Sequence, residues 1–266
     1  MVSEAKQVGE RALPQAMQQH TYAIMSEVEG SHWWFAGRRR ILRGFLDEIV
    51  PTLPGPAAGN RAQILDVGCG TGANLEMLAD YGAAQGVDIS EEALAFCRAR
   101  GLTDVHLGPA EKLPFADESY DLVTALDVVE HLDDDVAGLR EMRRVLRPGG
   151  CALLFVPAFM FLWGVQDDIS HHRRRYTLEE LKKSVADAGL AVERATYANL
   201  TFFAPILAGR ALMRLTGWRP ASENNINVSA FNNLFGGLLG AERHWLKRMN
   251  LPLGVSAVCV ARRTQE

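Results

Sequence analysis

The stretch Gln63-Ile64-Leu65-Asp66-Val67-Gly68-Cys69-Gly70-Thr71-Gly72-Ala73 decides how this chain folds. Its first five residues form a short, largely apolar run, and three alternating glycines follow at once. A run of this kind ending in glycines reads as a strand entering a tight turn, and Asn74 to Tyr81 continues as a helix. Strand, glycine turn and helix make up the general nucleotide-binding device. The glycines let the backbone approach a ligand, and the helix N-terminus offers unpaired N–H groups.

Working outward, the same rhythm continues. Strands are expected at 84–87, 105–107, 122–126, 151–156, 192–197 and 254–261. Helices are expected at 91–100, capped by Ser90, at 136–146, stopped by Pro148-Gly149-Gly150, and from Thr177 to Ala188. Strands alternating with helices predict an α/β fold, a seven-stranded doubly wound and mostly parallel sheet. Residues 1–50 read as helical, with a break at His32-Trp33-Trp34-Phe35 and a basic helix start after Gly37; 51–59 reads as a linker. Some fifty apolar, helical residues separate strands six and seven, too many for a hairpin loop. The expected division is an N-terminal helical cap (1–55), a cofactor-binding core (56–198), a helical lid or substrate insertion (199–250) and a final core strand (251–266).

Composition narrows the function classes. The chain has 266 residues, 48% of them hydrophobic, and a net charge of −4, which gives no global attraction to nucleic acid or anionic lipid. Four dispersed cysteines, without a C-x-x-C pair, argue against a zinc knuckle or a disulfide framework. Neither a secretory leader nor an apolar run of spanning length is apparent, so a cytoplasmic protein is expected.

Spacing alone leaves the ligand open, because Gly68 to Ala73 also satisfies a loose dinucleotide fingerprint. Asp88, twenty-two residues after Asp66, suits a ribose diol in either case. Asp66 argues against a pyrophosphate, which a neighbouring carboxylate repels, and for a ligand carrying an amino group and a sulfonium. The loop lacks the Lys-Ser/Thr ending of a phosphate-transfer loop.

Five segments in order resemble the motifs of class I S-adenosylmethionine-dependent methyltransferases, type 11/12-like. They are Asp66 to Gly72, Gly86-Val87-Asp88-Ile89-Ser90, Ala110-Glu111-Lys112-Leu113-Pro114-Phe115, Leu126-Asp127-Val128-Val129-Glu130-His131-Leu132, and Arg144 to Gly150. The resemblance implies S-adenosyl-L-methionine as cofactor and S-adenosyl-L-homocysteine as product. It places Asp66, Gly68, Gly70, Asp88, Ile89, Ala110, Glu111 and Asp127 around the cofactor. Many relatives carry an acid where Pro109 stands, so adenine recognition here falls to the backbone near Ala110 and to Ile89. His32-Trp33-Trp34-Phe35 and Gly37-Arg38-Arg39-Arg40 are similar to the N-terminal segment of a subgroup associated with glycan or lipid-linked biosynthesis. Trp34 would close over the cofactor and Arg38 would pair with its carboxylate.

On the acceptor side, His171-His172-Arg173-Arg174-Arg175-Tyr176 resembles that subgroup's Gly-His-x-Arg-Arg-Tyr pattern, with His171 at the usual glycine. Methyl transfer needs positioning, plus a base if the nucleophile carries a proton. His172 is the first candidate base and His131 the second. Asp167, Asp168, His171 and His172 form no clear ligand constellation, so no metal is expected. The expected acceptor is a small molecule or a lipid- or glycan-linked metabolite, with no nucleic acid and with possible membrane contact through 199–250. The rival readings are an NAD(P)-dependent oxidoreductase and a non-catalytic cofactor-binding partner protein; oligomeric state is left open.

Overall fold

The computed structural model describes residues 19–218 and 231–265. Among them seven strands form one sheet: β1 (Ala62–Val67), β2 (Gly82–Asp88), β3 (Val105–Leu107), β4 (Tyr120–Leu126), β5 (Leu146–Pro157), β6 (Ala191–Ala198) and β7 (Ser256–Arg262). Their order is β3-β2-β1-β4-β5-β7-β6. β1 to β5 pair in parallel, and β7 lies antiparallel between β5 and β6. This is the expected doubly wound, mostly parallel sheet. The order reverses between β1 and β4, and the crevice beyond their C-terminal ends is where such sheets hold ligands.

The helices are α1 (Gln19–Val28), α2 (Trp33–Ile49), α3 (Pro54–Ala57), α4 (Ala73–Leu78), α5 (Glu91–Ala99), α6 (Asp135–Val145), α7 (Val165–Ile169), α8 (Leu178–Asp187), α9 (Phe203–Thr216), α10 (Asn232–Gly240) and α11 (Glu242–Leu246). They cover both faces of the sheet, which is why β4 is buried at every residue. On one face Leu139, Met142 and Val145 of α6 and Leu181 and Val185 of α8 join the core. On the other, Ile41, Leu42, Phe45 and Leu46 of α2 pack with Leu239 and Leu246 of the insertion. Among the described residues, no helix is long and apolar enough to cross a membrane.

Three local expectations change. The N-terminal break falls at 29–32, and α2 starts at Trp33, because the His32 ring accepts the Trp34 N–H at 3.2 Å and caps the helix. Gly37 therefore lies inside α2. The supposed linker at 51–59 contains α3 and is pinned: Leu53 is fully buried and the Gly55 N–H donates to Asp121 at 3.0 Å. Pro148-Gly149-Gly150 does not merely stop α6 but belongs to β5, since Gly149 and Gly150 exchange backbone hydrogen bonds with Arg263 just beyond β7. Just beyond β6, Asn199 is fully buried and its side-chain amide donates to the Ser256 hydroxyl at 2.9 Å, tying the insertion's first residue to β7.

Candidate active site

The turn after β1 is built around Gly68 and Gly70. Gly68 has φ +68°, and a Cβ there would lie 2.4 Å from a methyl of Val128, so no larger residue fits. Gly70 has φ +54°, and a Cβ there would meet nothing within 4 Å, so the space over the loop is open to a ligand. The Gly70 N–H donates to Asp88 at 2.9 Å, and the Ser90 N–H donates to the other Asp88 oxygen at 2.9 Å. Asp88, at the end of β2, is thus fixed by backbone on both oxygens, each with lone pairs to spare. Burial raises its pKa above the ordinary carboxylate value against the opposing pull of the Ser90 and Gly70 N–H groups.

A cavity of about 630 Å³ opens over this loop. Gly68, Gly70, Asp88, Ile89, Ala110 and Glu111 line it, as do Trp34, Arg38, Asp127, His131 and His172. Eleven of the twelve expected site residues therefore share one cavity. Asp66 is the exception. It pairs in register with Thr124 of β4, whose hydroxyl donates to it at 2.6 Å, and it is buried outside the cavity lining. The expectation that Asp66 faces the ligand is corrected accordingly. Burial pushes its pKa up to about 7.

Arg38, expected to be available to a ligand carboxylate, already holds one: it meets Asp127 at 2.5 Å and lies over the Phe155 ring at 4.4 Å. Asp127 sits in the left-handed region at φ +61°, a strained placement common at functional sites. Sequence reading missed Glu29 altogether. From the end of α1 it accepts hydrogen bonds from the Thr71 hydroxyl of the glycine loop at 2.5 Å and from Arg100 at 2.6 Å. Its position one residue beyond α1 carried no motif that would have flagged it.

Opposite the loop, Asp167 organises the segment after β5. It is fully buried and accepts from the Gly164 N–H at 2.7 Å, from His172 Nδ1 at 2.8 Å, and from Arg175 at 2.8 and 2.9 Å. Burial alone would raise Asp167, but the His172 and Arg175 hydrogen bonds outweigh it and hold the carboxyl below its usual range. The remaining consensus residues are anchors: Arg174 donates to the Leu132 carbonyl at 2.9 Å and the Tyr176 hydroxyl to Asp135 at 2.8 Å. His171 has φ +54°, the conformation that explains glycine at this position in the pattern it resembles. His131 meets His172 edge to face at 4.7 Å, and burial, with the neighbouring imidazole adding, lowers His131 to about 3. Behind them Glu130 is fully buried, and neither of its carboxylate oxygens has a hydrogen-bond partner. Burial, with the neighbouring Asp127 charge adding, raises its pKa well above the carboxylate range.

A glycine turn at the switch point of a doubly wound sheet, with a buried acid at the end of the next strand, defines a nucleoside-cofactor-binding α/β enzyme. Residues 65–154 match the family model described as "Methyltransferase domain". A probable S-adenosylmethionine-dependent methyltransferase of Mycolicibacterium smegmatis is 31% identical over 188 residues, covering 69% of each chain. A demethylmenaquinone methyltransferase of Chlorobaculum parvum is 42% identical over 98 residues, 36% of this chain and only 41% of the relative. This chain belongs to the S-adenosylmethionine-dependent methyltransferases. Among solved structures, a chain of the Haloferax volcanii complex between the Trm112 methyltransferase activator and a methyltransferase superposes with a TM-score of 0.60 at 20% identity, over 94% of this chain and 99% of that one. The [4+2]-cyclase SpnF matches with a TM-score of 0.56 at 20% identity, over 94% and 97%. Such likenesses show the fold alone, and this fold carries more than one chemistry.

Proposed function

We propose that this enzyme transfers the methyl group of S-adenosyl-L-methionine to a small-molecule or lipid-linked acceptor. The observation that carries the reading is the single cavity shared by the glycine loop, Asp88 and the His131–His172 pair. The cofactor supplies an activated methyl on a positively charged sulfur. Asp88 accepts the ribose hydroxyls through its spare lone pairs, while Ile89, Ala110 and Glu111 border the adenine. Asp127 and Glu29 face the positively charged end, and Trp34 excludes water from it. Asp66 supports the loop from its buried position against Thr124.

Activation of the accepting atom falls to the histidine pair. Asp167 accepts a hydrogen bond from His172 Nδ1–H and so orients the ring, the arrangement of an oriented general base. In this division of labour the glycine loop and the strand ends of the core hold the cofactor, Glu29 and Trp34 close over it from the N-terminal helices, and His131 and His172 face the acceptor. The exposed Leu212, Leu215, Trp218, Leu234 and Leu238 of the insertion support an acceptor with an apolar tail, presented at a membrane surface.

The test is transfer of label from methyl-labelled cofactor to small-molecule and lipid fractions of an extract. His172→Ala lowers turnover roughly 100-fold or more while S-adenosylhomocysteine affinity by calorimetry stays within a factor of two or so. Tight binding of NAD(H), with none of S-adenosylhomocysteine, would overturn the proposal.

A further inference from the structure

Glu130, His131 and His172 come from two separate segments, yet each brings a potential ligand atom within 4.8 Å of the others. Glu130 carries the case. A fully buried carboxylate is expensive unless its oxygens are satisfied, and both of these lack hydrogen-bond partners. His172 Nε2 stands 3.9 Å from it, beyond hydrogen-bond reach.

The surroundings are those of a metal-ligating histidine. His172 Nδ1–H donates a hydrogen bond to Asp167, which Arg175 clamps with two more. An outer carboxylate of this kind fixes the tautomer and leaves the Nε2 lone pair facing inward, here toward Glu130. The edge-to-face contact at 4.7 Å brings the second imidazole to the same place. Both imidazoles also line the cavity, so an ion held between them keeps open positions on the side where an acceptor sits.

We propose that Glu130, His131 and His172 bind one divalent first-row transition cation. Two imidazoles and one carboxylate suit Mn²⁺, Co²⁺ or Zn²⁺ better than Ca²⁺, which prefers all-oxygen shells. Ligand bonds of roughly 2.0–2.2 Å require the three side chains to draw together by about an ångström on binding. Resting on the methyl-transfer reading, the site assigns the acceptor class as a hydroxyl compound, best with a second oxygen beside the first. The ion acidifies the bound hydroxyl, whose proton leaves to water in the cavity. The oxygen lone pair forms the bond to the methyl carbon, and the methyl–sulfur bond breaks with its electron pair passing to sulfur. The sulfonium becomes a neutral thioether. In the ion-bound enzyme His172 is a ligand, so the acceptor's proton goes to water and not to imidazole.

The test is titration of the chelator-stripped full chain with Co²⁺ alone, followed by calorimetry and visible absorption. One ion per chain is expected, with no thiolate charge-transfer band. Glu130→Gln should weaken binding more than tenfold, and Asp167→Asn, which loosens both the His172 ring and the Arg175 clamp behind it, by roughly 10–100-fold. Thermal melting of each variant without metal confirms that it is folded. Absence of binding, binding unchanged in folded Glu130→Gln, or a charge-transfer band assigning the ion to cysteine would each overturn the site. S-adenosylhomocysteine is titrated in parallel: its binding without Co²⁺ binding overturns only the metal, whereas its failure to bind overturns the methyl-transfer reading.

Discussion

Replacing Asp66 by asparagine isolates one buried charge whose cost follows from the structure. Asp66 is 2% exposed, and its one side-chain hydrogen bond is from Thr124. Burial takes its pKa from an ordinary 3.8 to about 7. Between those values the folded chain keeps a proton that the unfolded chain has lost, so stability falls as pH rises from about 4 and levels off above about 7. That gap corresponds to about 4 kcal/mol, as an order of magnitude. The substituted asparagine would keep the acceptor for Thr124 and add a buried amide donor, at a cost of roughly 1–3 kcal/mol. Asp66→Asn is therefore expected to be less stable than the parent near pH 4 and more stable near pH 8. The assay is urea unfolding of both proteins at several pH values, read as the difference in unfolding free energy. Other titrating groups cancel in that difference. A difference that stays flat from pH 4 to 8 would refute the burial of Asp66 against Thr124.

Asp88→Ala removes the acceptor that both Gly70 and Ser90 hold, and should weaken S-adenosylhomocysteine binding about 10–100-fold, measured by calorimetry. Gly68→Ala puts a Cβ 2.4 Å from Val128 at φ +68°; a loss of about 1–3 kcal/mol in unfolding free energy is expected, together with weaker cofactor binding. Asp167→Ala leaves the buried Arg175 without its two carboxylate contacts, and unfolding experiments should show a loss of about 3–5 kcal/mol. In each case an unchanged value counts against the contact named.

The sheet was legible because period and punctuation both survive in the sequence: apolar runs closed by Gly68, Asp88 and Asp127 mark the C-terminal ends of β1, β2 and β4. Most of the site was legible for the same reason, since those strand ends are where ligands bind. What could not be read were contacts between distant segments. Glu29 meets Thr71 and Arg100 across 42 and 71 residues, and nothing local marks it. Asp66 looked like a ligand-facing acid because its position in the motif says nothing about the neighbouring strand, where Thr124 takes its carboxylate. The segment 148–150 read as a stop because proline and glycine usually interrupt elements; the backbone of Arg263 draws it into β5 instead. Glu130 stood inside a quoted motif, yet its burial without partners emerges only when His172 is folded back upon it.

The placement of β7 has a consequence for how the chain reaches this state. β5 ends at residue 157, but the strand that covers its outer edge begins at 256. On the ribosome, β1 to β5 can assemble in sequence while Cys151 to Pro157 still presents open N–H and C=O groups along a wholly buried strand. β6 cannot close that edge, because its own partner is also β7. About a hundred further residues, including the apolar insertion, must be made before the gap is filled. An edge strand left exposed for that interval is a template for wrong pairing, and long-range closure of this kind is slow. The final strand acts as a keystone, and the nascent chain depends on whatever shields β5 until that keystone arrives.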